Sequence, residues 1–470
     1  MNLRTRIPSP RPLPGRAAAH PSTRRGLAVV PALLLPALVL AACAQTPVEP
    51  DQDTAEASVA QESEETASAA EESATAQPRV ALTYDGGLLV LDALTLEVVA
   101  DLELEGFNRI SAAGDDRHVL VAHTATNAGW HVLDTGAWSE AHGDHAHHYV
   151  GEPHLTGTVI PAETPAHVVP HGDRTVLFDD GTGDITVIDP AALTGHAHGE
   201  HADEGEDEHA DEAADHDEAG HDEAALVVEE LTSLDVHHGV AVLLSDGRLV
   251  STLGTEEART GVRLLDRNRD EVARNESCPG VHGEAVTSDE TVVVGCEDGV
   301  LLVRGTEITK VAAPAAFGRI GNQYVSDASP IAVGDYKSDP EQGLALDQLS
   351  LIDTVAATMQ VVPLPDGVSY TWRGVGRGPS GEALVLGTDG NLWVIDPVTG
   401  TPTVSYPVID AWTEPEEWQL PHPAMTVLGE TAYVTDPATQ SIHAVDLVTG
   451  EVWASGSLPA TPNEIVAVNG

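Results

Sequence analysis

From Arg79 to the C-terminus, apolar residues come in short, β-branched runs separated by Asp-Gly or similar turns, and a helical period is hard to find. The clearest unit is a strand ending in aspartate, then a turn, then another strand. Copies end at Asp92 (LLVLD), Asp134 (HVLD), Asp189 (ITVID), Asp266 (RLLD), Asp353 (LSLID), Asp396 (LWVID) and Asp446 (HAVD). A weaker eighth, Gly299 to Glu307 (GVLLVRGTE), has Arg304 in place of the aspartate. Hairpins such as GDRTVLFDD, SDGRLVST, SDETVVVG, SGEALVLG and LGETAYVTD precede most copies. A four-strand unit recurring about every 40 to 50 residues predicts an all-β fold, a β-propeller. One such unit cannot bury both of its faces, so neighbours stack around an axis. Eight copies argue for eight four-stranded blades, with seven as the alternative. The first unit lacks an inner strand, and Asn463 to Asn469 is a spare one, so pairing of the N- and C-terminal strands closes the ring.

The residues before the repeat divide in two. Arg24-Arg25 precede the apolar run Gly26 to Leu40, which is too short for a comfortable transmembrane helix and reads as the core of a secretory signal. Leu40-Ala41-Ala42-Cys43 resembles a bacterial lipobox, which implies cleavage before Cys43 and lipidation of its thiol. Residues 1–43 are therefore an export signal. Residues 44–78 are mostly Ala, Ser, Thr and Glu and cannot bury enough surface to fold, so they read as a disordered acidic tether. The propeller occupies 79–470. Together these segments place the protein outside the cytoplasm, lipid-anchored to the outer face of the cell membrane (periplasm or cell surface).

Charge narrows the partners. The chain carries 75 acidic and 22 basic side chains, a formal charge of −53. Nucleic acid and anionic head groups are poor ligands for such a surface, and cations are good ones. Two His/Asp-rich loops, at 139–148 and 195–224, interrupt the repeat between the third and fourth strands of neighbouring blades. The first holds His142, His145, His147 and His148. The second holds His196, His198, His201, His209, His216 and His221, with eleven acidic residues between the first and last of them. Carboxylates alone explain a solvating loop. Histidines in this density point to metal capture, because neutral imidazole suits Zn and its neighbours. Both loops should emerge on one face.

Aligning blades on their hairpins brings out a second pattern. His282 and His422 start the innermost strands of their blades in matching register. His238 fits with one extra residue, with His237 as the alternative, and His167 fits with one fewer. If the hairpins turn near Gly172, Asp289 and Gly429, then Asp180, Cys296 and Asp436 lie roughly opposite His167, His282 and His422. Imidazoles converging beside carboxylates are what a zinc ion needs. His167, His238 and His282, on consecutive blades, form the best trio; His422 and Asp180 are further candidates. Cys278 and Cys296 read as a disulfide, with a Cys296 thiolate ligand as the alternative. His123, His131 and His443 fall within strands and read as packed or rim residues, and Trp372, Trp393, Trp412 and Trp418 as inter-blade packing.

The sequence has no nucleophile elbow, phosphate loop or HExxH. The blade histidines in TPAHVVPHGD, VHHG, CPGVHGEA and LPHPAM, the His/Asp-rich loops, the repeat and the export signal together resemble the AztD family of zinc metallochaperones. The resemblance covers about Arg79 to Gly470, and CPGVHGEA is its most specific piece. It implies a propeller that binds Zn2+ through His167, His238, His282 and His422, with Asp180, and passes it to the solute-binding protein of a zinc ABC importer. The expected function is therefore a non-enzymatic zinc carrier. The alternatives are a metal-dependent, lactonase-like hydrolase and an extracellular scaffold with metal-buffering loops. The lipid anchor and tether depart from free diffusion in a periplasm.

Overall fold

The computed structural model describes residues 70–143, 145–194 and 225–470. The export signal with Cys43, most of the tether and the histidines His196 to His221 lie outside these residues. The described residues form eight four-stranded antiparallel sheets and one three-stranded sheet, with no α-helix among them. In the first large sheet Ile465–Val468 is the inner strand, followed by Arg79–Tyr84, Gly87–Asp92 and Val98–Glu103. The pairing of Arg79 with Val468 and of Leu82 with Ile465 joins the two ends of the propeller, as the spare strand predicted. The other seven large sheets are built in chain order from the inner strand outward, except for one insertion in the second.

Burial follows position in the sheet. Second and third strands such as Arg79–Tyr84 and Val292–Cys296 are covered on both faces, whereas the outer strand Val98–Glu103 alternates between half-buried and exposed. This difference explains why the middle strands read as continuous apolar runs and the outer ones hardly register in the sequence. The recurring aspartate ends the third strand and folds the turn after it. Asp92, Asp353, Asp396 and Asp446 each accept from the two backbone N–H groups two and three residues ahead. A short carboxylate closing its own turn is a local device, so the motif survives where strand sequences drift. Arg304, the exception, reaches Asp289, Thr291 and Thr354 O instead.

Buried side chains from adjacent sheets interdigitate all the way round. Leu88 and Val90 of the first sheet meet Val119 and Val121 of the second. The third, fourth and fifth sheets share one core through Phe178, Val250 and Val294. The eighth returns to the first through Tyr433, Ile442, Val80 and Leu82.

Glu464, just before the closing strand, clasps the seam. Its Oε1 accepts from Arg373 at 3.1 Å and Arg109 at 3.2 Å, its Oε2 accepts from the Ile110 N–H, and its own N–H donates to Thr83 Oγ1. The side chains of Arg373 and Glu464 are 3% and 8% exposed, so neither charge has water as a substitute partner.

One segment departs from expectation. Glu71–Ser73, placed by composition in the disordered tether, is a strand. It pairs with His145–Val150, itself half of a hairpin with Ala137–His142. Local propensity does not favour it; the open hairpin edge offers its backbone a partner.

Replacing Glu464 with Gln leaves the buried Arg373 guanidinium without a counter-charge, and the expected cost is about 3–5 kcal/mol. Calorimetry should show a clearly lowered melting midpoint for Glu464→Gln and an unchanged one for Arg274→Ala, which removes only the surface pairs with Glu271 and Glu276.

Candidate metal centre

Each large sheet begins its inner strand at one end of the ring, and the inner hairpin and the third-to-fourth connection lie at the other. His167 sits near the start of Pro165–His171, the inner strand of the third sheet. His238 precedes Ala241–Leu243, the inner strand of the fourth, and His282 begins His282–Val286 in the fifth. Equivalent entry points on three consecutive sheets thus bring three imidazoles together. Their ring centroids are 5.2 Å (His167–His238), 5.7 Å (His167–His282) and 4.9 Å (His238–His282) apart, and one nitrogen of each lies within 4.8 Å of the others. Three imidazoles on a tetrahedral ion hold their nitrogens about 3.3 Å apart, so ring rotations of about 1 Å complete the set.

Hydrogen bonds hold two of the three rings from behind. His238 Nδ1 donates to Asp180, which also accepts from the Gly239 N–H at 3.2 Å. His282 Nδ1 donates to Gly321 O at 2.7 Å. His167 Nδ1 lies 3.2 Å from Glu284 Oε2. With Nδ1 of His238 and of His282 engaged as donors, their Nε2 atoms keep the lone pairs, which is the tautomer a metal requires. Asp335 fixes the Gly321 carbonyl indirectly by accepting from the Gly321 N–H and Asn322 Nδ2. Burial, then the neighbouring His167, Arg319 and His238, push the His282 imidazole well below its usual range. It is neutral at neutral pH and its lone pair is available.

Glycine makes the close approach feasible. Gly283 has φ +68° at a bulge between His282 and Glu284, and a Cβ there would stand 2.2 Å from Gly321 O. Gly239, after His238, packs against the Phe178 ring, where a Cβ would meet ring carbon at 2.4 Å.

The structure brings together His167, His238 and His282 and sorts the other candidates differently. Asp180 stands behind His238 of the next sheet and is not one of the converging donors. His237 cannot substitute for His238, because it is buried with Nδ1 donating to Asp235 O and Nε2 2.9 Å from Thr252 Oγ1. His422 occupies the matching place on the eighth sheet, across the ring. It is 2% exposed, near Arg373 and 6.4 Å from the Trp412 ring. Matching register therefore does not give it access to the trio, because the ring is too wide. Asp436 caps a turn through Ala438 N and Thr439 Oγ1 rather than meeting His422. Cys278 and Cys296 form a disulfide, so Cys296 offers no thiolate. The bridge ties the approach to His282 to the strand beside it, and its short loop contributes about 3 kcal/mol. His123 packs against Asn108 and His131, as its strand position suggested. Trp372 and Trp418 hold the Arg109 guanidinium between them, 5.5 Å from each ring. Glu284 was not singled out from the sequence, although HGE within CPGVHGEA contains it.

A second group lies at the opposite end of the ring. His142, His145 and His147 each offer a nitrogen within 4.8 Å of the others. His148 does not join them. It faces the other side of the hairpin, with Nδ1 2.7 Å from Ser139 Oγ. The insertion carrying them joins Gly129–Asp134 to His154–Pro161, the third and fourth strands of the second sheet. The 195–224 segment is rooted at the same connection of the third, where Ile188 pairs with Val227.

An all-β propeller with a three-histidine centre at one channel mouth is the class this geometry defines. Comparison with known proteins agrees. The zinc chaperone AztD of Citrobacter koseri is 23% identical over 399 residues, 81% of this chain and 83% of its own length. The crystal structure of Citrobacter koseri AztD superposes with a TM-score of 0.67 at 21% identity, covering 84% of this chain and 99% of that one. The apo AztD structure gives 0.66 at 20%, covering 84% and 98%. No protein-family model matches the chain. The resemblance to AztD-type proteins and the propeller fold, both expected from the residues, are thereby borne out.

Burial, with the Arg373 charge beside it, lowers the His422 pKa from 6.5 to about 4. The unfolded chain binds this proton near pH 6.5 and the folded one only near 4. The resulting stability is complete above pH 6.5 and is lost progressively as pH falls towards 4, by about 3 kcal/mol at most. Melting curves at pH 7.5 and 4.5 should therefore show a smaller acid-induced drop for His422→Gln than for wild type.

Proposed function

We propose that the protein is an extracytoplasmic zinc carrier, without catalytic activity, that holds Zn2+ on His167, His238 and His282 and passes it to the solute-binding protein of a zinc ABC importer. The convergence of three imidazoles, two of them held by hydrogen bonds at Nδ1, carries this reading, and the similarity to a protein named a zinc chaperone supports it. The trio supplies three of the four ligands a tetrahedral ion takes, leaving one position for an incoming donor. A partner's imidazole or carboxylate entering there can take over the ion by successive ligand exchange, without releasing it to water. The electronegative surface concentrates cations, and the His/Asp-rich loops capture them. The roots of those loops and the trio are separated by about one strand length, roughly 20 Å. Residues 195–224 contain enough chain to reach roughly 50 Å from their roots. Cleavage before Cys43 and lipidation of its thiol would keep the carrier at the outer face of the membrane, close to its partner. Among the described residues no helix is long and apolar enough to cross a membrane.

Zinc titration should reveal one tight site that survives deletion of 196–221 and is lost in His167→Ala, His238→Ala and His282→Ala, while His422→Ala retains it. Zinc should then pass to the solute-binding protein faster than it escapes to a chelator at equal concentration. Tight binding that persists in the triple variant, or transfer no faster than escape, would overturn the reading.

A further inference from the structure

The inner strands of the eight large sheets enter at the end of the ring where His167, His238 and His282 meet, and guanidiniums stand at the same mouth. Arg319 lies in the connection before Gln323–Ser326, the inner strand of the sixth sheet. Its Nη1 is 3.1 Å from where a Cβ on Gly321 would stand, and the Gly321 carbonyl is the group that holds His282. Among the described residues the Arg319 guanidinium has no ion pair and no side-chain hydrogen bond. Arg109 begins Arg109–Ala112, the inner strand of the second sheet, and its side chain is 41% exposed. Its Nε donates to Glu464 Oε1, an oxygen that also serves Arg373, and its terminal nitrogens have no hydrogen-bond partner among the described residues. Trp372 and Trp418 flank this guanidinium, and Phe107, 37% exposed, meets the Trp418 ring edge-on at 5.5 Å. Trp418 belongs to the connection 408–424, the longest between successive large sheets among the described residues. Connections of that length without secondary structure are usually functional.

A guanidinium beside a cation site weakens that site, so retention of Zn2+ does not account for Arg319. Exposed arginine set among aromatic rings has the composition of the few residues that dominate protein interfaces. Arginine also presents a planar fork that matches a carboxylate. We propose that this part of the mouth is the docking surface for an acidic segment of the zinc-accepting protein, with one carboxylate held by Arg109 at the rim and another drawn by Arg319 to the open position on the ion. The inference rests on the carrier reading and adds the chemistry of its partner. Nearby carboxylates of the chain itself are committed elsewhere, Asp180 to His238 and Asp335 to Gly321 and Asn322. An incoming anionic donor gains from both the ion and the guanidinium, whereas a neutral imidazole gains from the ion alone. Arg319 thus favours the ligand that takes the ion over the histidines that hold it.

Zinc removal from the loaded full chain by two chelators tests the inner contact. Nitrilotriacetate carries carboxylates, and tris(2-pyridylmethyl)amine is neutral. Arg319→Gln should slow removal by nitrilotriacetate about tenfold, the loss of one charge-assisted hydrogen bond, and leave removal by the neutral chelator unchanged. Arg319→Lys, which keeps the charge, should recover part of the rate. For the outer contact, zinc transfer is followed against the concentration of the solute-binding protein. Arg109→Gln should raise the half-saturating concentration about tenfold, and added salt should narrow the gap between wild type and variant. An unchanged nitrilotriacetate rate in Arg319→Gln, or equal slowing with both chelators, overturns the role of Arg319. An unchanged half-saturating concentration in Arg109→Gln overturns the docking surface. A wild type that passes no zinc to the solute-binding protein sinks the carrier reading instead, and the two-chelator comparison still decides whether Arg319 receives a carboxylate.

Discussion

Face-to-face burial of one sheet against the next is the interaction on which the rest of this structure depends. None of the eight large sheets can cover both faces of its middle strands alone, and each does so with its two neighbours. An open stack would leave two uncovered faces, so the ring has to close. The pairing of Ile465–Val468 with Arg79–Tyr84 closes it, and Glu464 locks the seam by drawing the buried Arg373 and the more exposed Arg109 onto one carboxylate.

The metal centre is a consequence of that ring. Adjacent sheets are related by a small rotation, so equivalent residues at the start of their inner strands lie a few ångströms apart, although His167 and His282 are more than a hundred positions apart in the chain. Rotation alone gives proximity. For His238 and His282 direction comes from the groups behind the rings: Asp180 and the Gly321 carbonyl, the latter set in place by Asp335 of the sixth sheet. Burial keeps His282 neutral, which removes the competition of protons for the lone pair a cation would use.

The same rotation that unites three histidines isolates the fourth. His422 has matching register, yet a large ring sets opposite blades too far apart to share an ion, and the local environment supplies a different role. Packed near Arg373 and Trp412, it forms part of the buried polar seam around the closure. Equivalence in the repeat is therefore a condition for joining the site, and adjacency in the ring is the further one.

Much of this was legible in the residues. Middle strands buried on both faces had to be apolar, and third-strand aspartates that fold their own turns had to recur, so the repeat and the propeller could be read directly. The register of the inner strands pointed to the trio, because that constraint is periodic. What the sequence could not determine depended on neighbours distant in the chain. It did not show that Asp180 serves the next sheet, that Glu284 lies beside His167 or that His237 spends both nitrogens on its own surroundings. The same holds for Glu71–Ser73, whose composition suits solvent and which forms a strand only because a hairpin edge is available. Sequence determined which positions repeat; the width and closure of the ring decided which of them meet, since contact between sheets depends on their order around the axis and not on their separation along the chain.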